Sequence, residues 1–272
     1  MRRIIVHTFN DLGFDQRVEA AMAFARTFDA HLTAMHVRPD ISSVGGSYSA
    51  GMFTGVIPDS VIEQAKTDET EFQQHCERMI ASEDVAWDWL VRSGLPEREF
   101  SREAVLADLL IISPLEDDFS GQAGDTFIGR MLSNASSPIL TAVSAQPKYL
   151  TEGRILVLWN GSDEAGRALK GALPIIDRAA EVRILSIGGV SDGKPDEEDV
   201  AKYLGRGGTK AETLVAKEHG NIGEQILEEA SAFGADLIVM GAYGRSRMSE
   251  LILGGATQSM IRQRKFPVLF SH

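Results

Sequence analysis

The 272-residue chain has one cysteine, Cys76, so no disulfide can close within it and no cysteine-rich zinc module can be built. It has no run of about 18 apolar residues, which excludes a membrane-crossing helix. Cations are scarce: 27 Lys and Arg stand against 39 Asp and Glu, a net charge of −12. Such a surface repels phosphate backbones and anionic lipid, so nucleic acid and membranes are set aside as partners. The opening Met1-Arg2-Arg3-Ile4-Ile5-Val6-His7 is basic, but its apolar stretch ends too early for a signal peptide. With the lone cysteine this reads as a cytoplasmic protein. GxxxxGK[ST] is absent, and GxGxxG follows neither opening strand, which argues against a motor-type NTPase and a nicotinamide enzyme. A Gly/Ser-rich pyrophosphate-releasing loop is missing at the same places.

What is present is an ordinary globular composition with a repeat. Arg3-Ile4-Ile5-Val6-His7 matches Arg154-Ile155-Leu156-Val157-Leu158, 151 residues on. Ala107-Asp108-Leu109-Leu110-Ile111-Ile112 matches Ala235-Asp236-Leu237-Ile238-Val239-Met240 at an offset of 128, and Pro138-Ile139-Leu140 matches Pro267-Val268-Leu269 at 129. The falling offset gives the first copy an insert, assigned to the Gly/Ser/Met-rich residues 41–58. The acidity belongs to the first copy: residues 1–150 carry 12 basic and 22 acidic side chains, residues 151–272 carry 15 and 17. A small anionic ligand therefore suits the second copy better.

Each copy alternates short apolar runs with helical patterns. In the second, strands are predicted at Ile155–Leu158, Val182–Ile187, Ala211–Val215, Leu237–Met240 and Phe266–Phe270. Helices are predicted at Glu164–Arg178, Glu197–Leu204, Ile222–Phe233 (closed by Gly234) and Glu250–Arg264. Near-continuous apolar strands separated by helices imply a parallel sheet covered on both faces. The expected fold is α/β: two tandem doubly wound, Rossmann-like domains, each a mostly parallel five-stranded sheet. The domains are expected at 1–146 and 153–272, joined by a polar link near Gln146–Gly153.

In open α/β sheets, ligands sit at the carboxyl ends of strands near a helix N-terminus. There the second copy reads Gly241-Ala242-Tyr243-Gly244-Arg245-Ser246-Arg247, continuing to Gly254-Gly255-Ala256-Thr257. Glycines let backbone N–H groups approach phosphate oxygens, Arg245 and Arg247 add positive charge, and Thr257 offers a hydroxyl. The same glycines would also serve as turn and packing residues. Gly241, Gly244 and Gly254 keep the G-x2-G-x9-G spacing of nucleotide-binding members of the universal stress protein family, which the segment resembles. The opening Ile155-Leu156-Val157-Leu158-Trp159-Asn160-Gly161-Ser162 is similar to that family's first strand and Asp-Gly-Ser turn. Both copies share the likeness, so the chain resembles a tandem universal stress protein.

The resemblance implies a stress-response protein that binds ATP or ADP in the second domain, with Mg2+ only alongside the nucleotide, and acts through conformation or an unidentified protein partner. Backbone N–H groups at Gly241, Gly244, Gly254 and Gly255 would hold phosphates, helped by Thr257 and Arg245. Asn160 would face the nucleoside. Two positions depart from the pattern: Gly255 replaces the usual Ser or Thr, and Asn160 replaces an acidic residue. The family also pairs domains through the fifth strand, implying an internal pseudo-dimer or a dimer of tandem chains. Two other readings are a nucleotide-independent interaction protein and a slow ATPase or nucleotidyl-transferring enzyme.

In the first copy the loop becomes Ser113-Pro114-Leu115-Glu116-Asp117-Asp118, where Pro114 lacks a donor and three carboxylates oppose phosphate. A nucleotide is not expected there. Its insert, with Tyr48, Met52 and Phe53, reads as a mobile connection or a lid. No nucleophile–base–orienter set and no metal cluster is recognisable. His31 and His36 fall on opposite faces of one strand. His7, near a ligand-binding edge, is read first as a satisfied core histidine, and Cys76 as inert. Trp87 and Trp89 alternate with Asp88 on a strand and point to one face, toward a core. Trp159 either touches a base or packs beneath the loop.

Overall fold

The computed structural model describes residues 1–38, 59–81, 84–113, 126–143, 147–243 and 255–272. In the first half the strands are β1 (Arg3–His7), β2 (His31–Arg38), β3 (Trp87–Ser93), β4 (Leu109–Ile112) and β5 (Ile139–Thr141). The helices are α1 (Phe14–Phe28), α2 (Asp59–Ala81), α3 (Pro96–Ala104) and α4 (Phe127–Asn134). The second half adds β6 (Arg154–Leu158), β7 (Glu181–Ile187), β8 (Ala211–Ala216), β9 (Leu237–Gly241) and β10 (Val268–Ser271). Its helices are α5 (Asp163–Ile176), α6 (Glu197–Arg206), α7 (Ile222–Phe233) and α8 (Gly255–Arg262).

All the strands join one ten-stranded sheet in the order β3-β2-β1-β4-β5-β10-β9-β6-β7-β8. Each half therefore repeats the order third-second-first-fourth-fifth, as the sequence repeat requires. Pairing is parallel within each half. The halves meet antiparallel through their fifth strands, with Val268 opposite Thr141, Leu269 opposite Leu140 and Phe270 opposite Ile139. The Thr141 hydroxyl reinforces the seam, accepting from the Val268 N–H at 3.0 Å and donating to its carbonyl at 3.3 Å. Above it, a Cβ on Gly171 of α5 would stand 2.6 Å from Pro138 Cγ, so glycine lets that helix settle on the first half.

Both faces are covered, which is why the central strands read as unbroken apolar runs rather than alternating ones. One core packs α1, α2, α5 and α6 on the sheet, including Phe24, Cys76, Ile155 and Ala172; the other packs α3, α4, α7 and α8, including Phe100, Leu110, Ile238 and Phe270. Both cores run through both halves. Trp87 and Trp89 of the edge strand β3 pack against the first.

Helix ends follow local chemistry. Ser162 accepts from the Ala165 N–H at 3.1 Å, starting α5 one residue before the expected Glu164. Asp196 and Asp199 form a capping box on α6. Asn221 caps α7, and Gly234 ends it at φ 68°. The last strand starts at Val268 rather than Phe266, because the Lys265 and Phe266 N–H groups donate to Gln263 Oε1 and hold a turn. Of the helix expected over 250–264, α8 accounts for the part from Gly255, and 250–254 lie outside the described residues. The 41–58 insert and Pro114–Asp118 also lie outside them.

Candidate functional site

The strand order reverses between β6 and β9, which pair from Ile155 opposite Leu237 to Val157 opposite Val239. A crevice opens beyond the carboxyl ends of strands at such a switch point. The α5 N-terminus packs on the end of β9 there, and α8 begins at Gly255 beside Ile222 of α7. Asn160, Gly241, Gly255 and Thr257 are described; Gly244, Arg245 and Gly254 lie outside the described residues.

Gly241 ends β9 against the first turn of α5. A Cβ there would fall 2.5 Å from the Ala165 nitrogen and 2.6 Å from the Glu164 carbonyl carbon. The glycine is thus demanded by packing, whatever else its N–H does. Gly255 is different: it opens α8, is exposed, and among the described residues a Cβ there would meet only Ile222 Cγ2 at 4.0 Å. The first N–H groups of a helix have no partner inside it, and the dipole favours an anion. Thr257, in that first turn, is 6% exposed.

Asn160 is exposed, and its Oδ1 accepts from the Ser162 N–H at 3.1 Å, closing an Asx turn. Gly161 between them has φ 70°, and a Cβ on it would strike Val190 and Lys194. The amide therefore already shapes its own loop, leaving Nδ2 unbonded among the described residues. Trp159 packs rather than presenting its face to the crevice. It is 8% exposed on the α5/α6 side, its indole N–H donates to the Pro195 carbonyl at 2.9 Å, and it floors a separate groove of about 430 Å³ beside Lys170 and Tyr203.

The same place in the first half is filled. Over the end of β1 the His7 ring lies 4.8 Å from Phe127, 5.2 Å from Phe100 and 5.8 Å from Phe9, centroid to centroid. On the opposite face Arg17, fully buried, donates to the carbonyls of His7 at 2.6 Å and Phe9 at 3.1 Å and forks onto both Asp11 oxygens. Asp11 Oδ1 also accepts the Gly13 N–H. This knot ties down the loop after β1. His7 is buried as expected, yet its Nδ1 has no partner among the described residues. Burial above all, then the nearby Arg17 and His36, holds its pKa well below the ordinary histidine value. Cys76 is buried, and burial raises its thiol to about 12.

Composition and motif spacing do not reveal two features. Arg17 is a buried cation on an otherwise apolar helix face. Tyr243 follows Gly241 by two residues, has φ 59°, and donates its hydroxyl to the Gly129 carbonyl of α4 at 2.7 Å, bridging the halves. Among the described residues no three His, Cys, Asp or Glu are grouped to hold a metal ion, and no helix is long and apolar enough to cross a membrane.

Two doubly wound halves in one sheet, each with a strand-order reversal between its first and fourth strands, define a tandem Rossmann-like α/β protein. Residues 190–272 match the universal stress protein family. The chain is 31% identical over 78 residues to universal stress protein MJ0577 of Methanocaldococcus jannaschii, covering 29% of this chain and 47% of that one. It thus spans about half the length of this curated relative. A universal stress protein from Archaeoglobus fulgidus shares the fold with TM-score 0.75 at 17% identity, over 99% of this chain and 95% of that one. The functionally unknown protein PA1789 of Pseudomonas aeruginosa superposes at TM-score 0.59 and 15% identity, over 100% and 92% of the two chains. The match to the universal stress protein family thus lies in residues 190–272, while the fold is shared over the whole chain.

Proposed function

We propose that this protein binds an adenine nucleotide, ATP or ADP, in the crevice of its second half and answers through conformation or a protein partner. The units are taken as 1–146 and 153–272. The observation that carries the reading is the strand-order reversal between β6 and β9, where Gly241 ends β9 against the first turn of α5, together with the exposed start of α8 at Gly255. Phosphates would lie on the backbone N–H groups of Gly241, Gly244, Gly254 and Gly255, with Thr257 and Arg245 assisting and Mg2+ accompanying them. Asn160 would reach the nucleoside through its amide nitrogen, because its oxygen serves the Asx turn.

The test uses the open space at Gly255. Gly255→Glu puts a carboxylate where phosphate would sit, and its Cβ clashes with none of the described residues, so it should fold normally and lose at least tenfold in ATP affinity by calorimetric titration. Freshly purified wild-type protein, denatured and analysed by chromatography with mass detection, should release about one nucleotide per chain by this one-site reading. No nucleotide, and no heat at millimolar ATP, refutes it.

The committed Asn160 oxygen favours one second reading, a nucleotide-independent interaction protein. It expects no thermal shift with any nucleotide. A homodimer of this protein, taken as cytoplasmic, would need a surface other than the fifth strands, since β5 and β10 already pair with each other; light scattering decides whether one forms.

A further inference from the structure

We propose that Tyr243 is a positioning residue that ties the nucleotide loop of the second half to helix α4 of the first, so that each reports the state of the other. The proposal rests on the nucleotide reading above for its ligand, but not for the tie itself.

The backbone of Tyr243 sits at φ 59°, a region that side-chain-bearing residues occupy at a cost and keep only where their surroundings hold them. Three contacts do so. Its hydroxyl donates to the Gly129 carbonyl at 2.7 Å, across 114 residues of chain. Its ring meets His272 edge-on at 5.5 Å and packs against the α3/α4/α7/α8 core. Ala242 is held in turn: its N–H donates to the Ser271 carbonyl at 2.8 Å, and its carbonyl accepts from His272 Nδ1 at 3.2 Å. Arg167 of α5 closes the ring of contacts by donating to the His272 carbonyl at 2.7 Å.

The result is a short rigid path. Gly241 is pressed on α5, Ala242 is bonded to the end of β10, and Tyr243 is bonded to α4. A ligand that moves the backbone after β9 must move Tyr243, and Tyr243 cannot move without releasing Gly129. That carbonyl also accepts the Ser133 hydroxyl at 3.0 Å, so the signal arrives at a hydrogen-bonded point of α4 and not at a frayed end. Helix α4 occupies in the first half the place α8 occupies in the second, since each follows the fourth strand of its half. The half without a nucleotide loop would thus hold the loop of the half that has one.

Tyr243→Phe keeps the ring and removes only the hydroxyl. Hydrogen–deuterium exchange of the full chain should show the segments 126–134 and 237–243 exchanging about threefold to tenfold faster in the variant, ligand absent. ATP affinity should fall by about fivefold, because the loop is no longer preorganised. ATP should slow exchange across 126–134 in the wild type but not in the variant. Asn134→Ala removes a side-chain bond to the α4 backbone at Arg130 while leaving the tie, and should leave 237–243 unchanged. Exchange of both segments within twofold of wild type in Tyr243→Phe overturns the proposal, even where ATP binds. Faster exchange of both in a protein that binds no ATP upholds the tie and sinks the nucleotide reading.

Discussion

His7 is 3% exposed, its Nδ1 has no partner among the described residues, and its pKa is held well below 6.5 by burial, Arg17 and His36. The folded protein therefore keeps the ring neutral where the unfolded chain has begun to protonate it. Below the unfolded value the unfolded state binds more protons, so stability rises with pH and is fully present above about 6.5. As pH falls through that value the contribution is lost, at up to about 1.4 kcal/mol per unit, until the folded ring accepts its proton. From pH 7.5 to 5.5 the loss should be about 1.4 kcal/mol. With a urea m-value of about 3 kcal/mol/M, this is a midpoint shift of about 0.5 M. The assay is urea denaturation across this range for the wild type and for His7→Phe, whose ring suits a site walled by Phe9, Phe100 and Phe127. The variant should be at least as stable at pH 7.5, since a buried nitrogen without a partner is gone, and the gap should widen by the stated amount at pH 5.5. Hydrogen-bonded Glu103 and Asp108, whose carboxyls are lowered despite the opposing effect of burial, lose their contributions only as pH falls below the ordinary carboxylate range. They cannot supply this slope. Parallel wild-type and His7→Phe profiles between pH 7.5 and 5.5 would refute the reasoning.

Arg17→Met should cost about 3–5 kcal/mol by chemical denaturation, because it leaves Asp11, 11% exposed, without its cation and takes a charged donor from the His7 and Phe9 carbonyls. Gly241→Val should lower the melting temperature sharply, since its Cβ would meet the backbone of Ala165, and a failure of that variant to bind nucleotide would say nothing of phosphate contacts. Gly255→Ser should leave the melting temperature within a few degrees of wild type and tighten ATP binding about threefold to tenfold by adding one hydroxyl donor; an unchanged Kd would remove the phosphate from that residue. Cys76 should resist a thiol reagent in the native protein and react once in urea, since burial raises its pKa to about 12.

Among the candidate residues, a glycine pattern was legible but the reason for each glycine was not. Gly241 keeps the loop spacing and Gly255 departs from the pattern; the first is required by a helix 76 residues earlier in the chain, while among the described residues a Cβ on the second meets only Ile222. Asn160 reads as a nucleoside contact because it ends a strand, whereas half of its amide is used two residues on. Trp159 leaves two readings open, and the Pro195 carbonyl decides for packing.

The order of elements follows from sequence because its causes are local: apolar runs, helical periodicity, caps at Ser162 and Asn221, a glycine stop at Gly234. The repeat adds that the two halves are alike, so one topology serves for both. Which surfaces meet does not follow, because it depends on partners far apart in the chain. Packing across such distances pairs β5 with β10, fills the first crevice with His7 and its phenylalanines, and buries Arg17 beneath the loop. It also carries Tyr243 to Gly129, joining two halves that the sequence presents as separate copies.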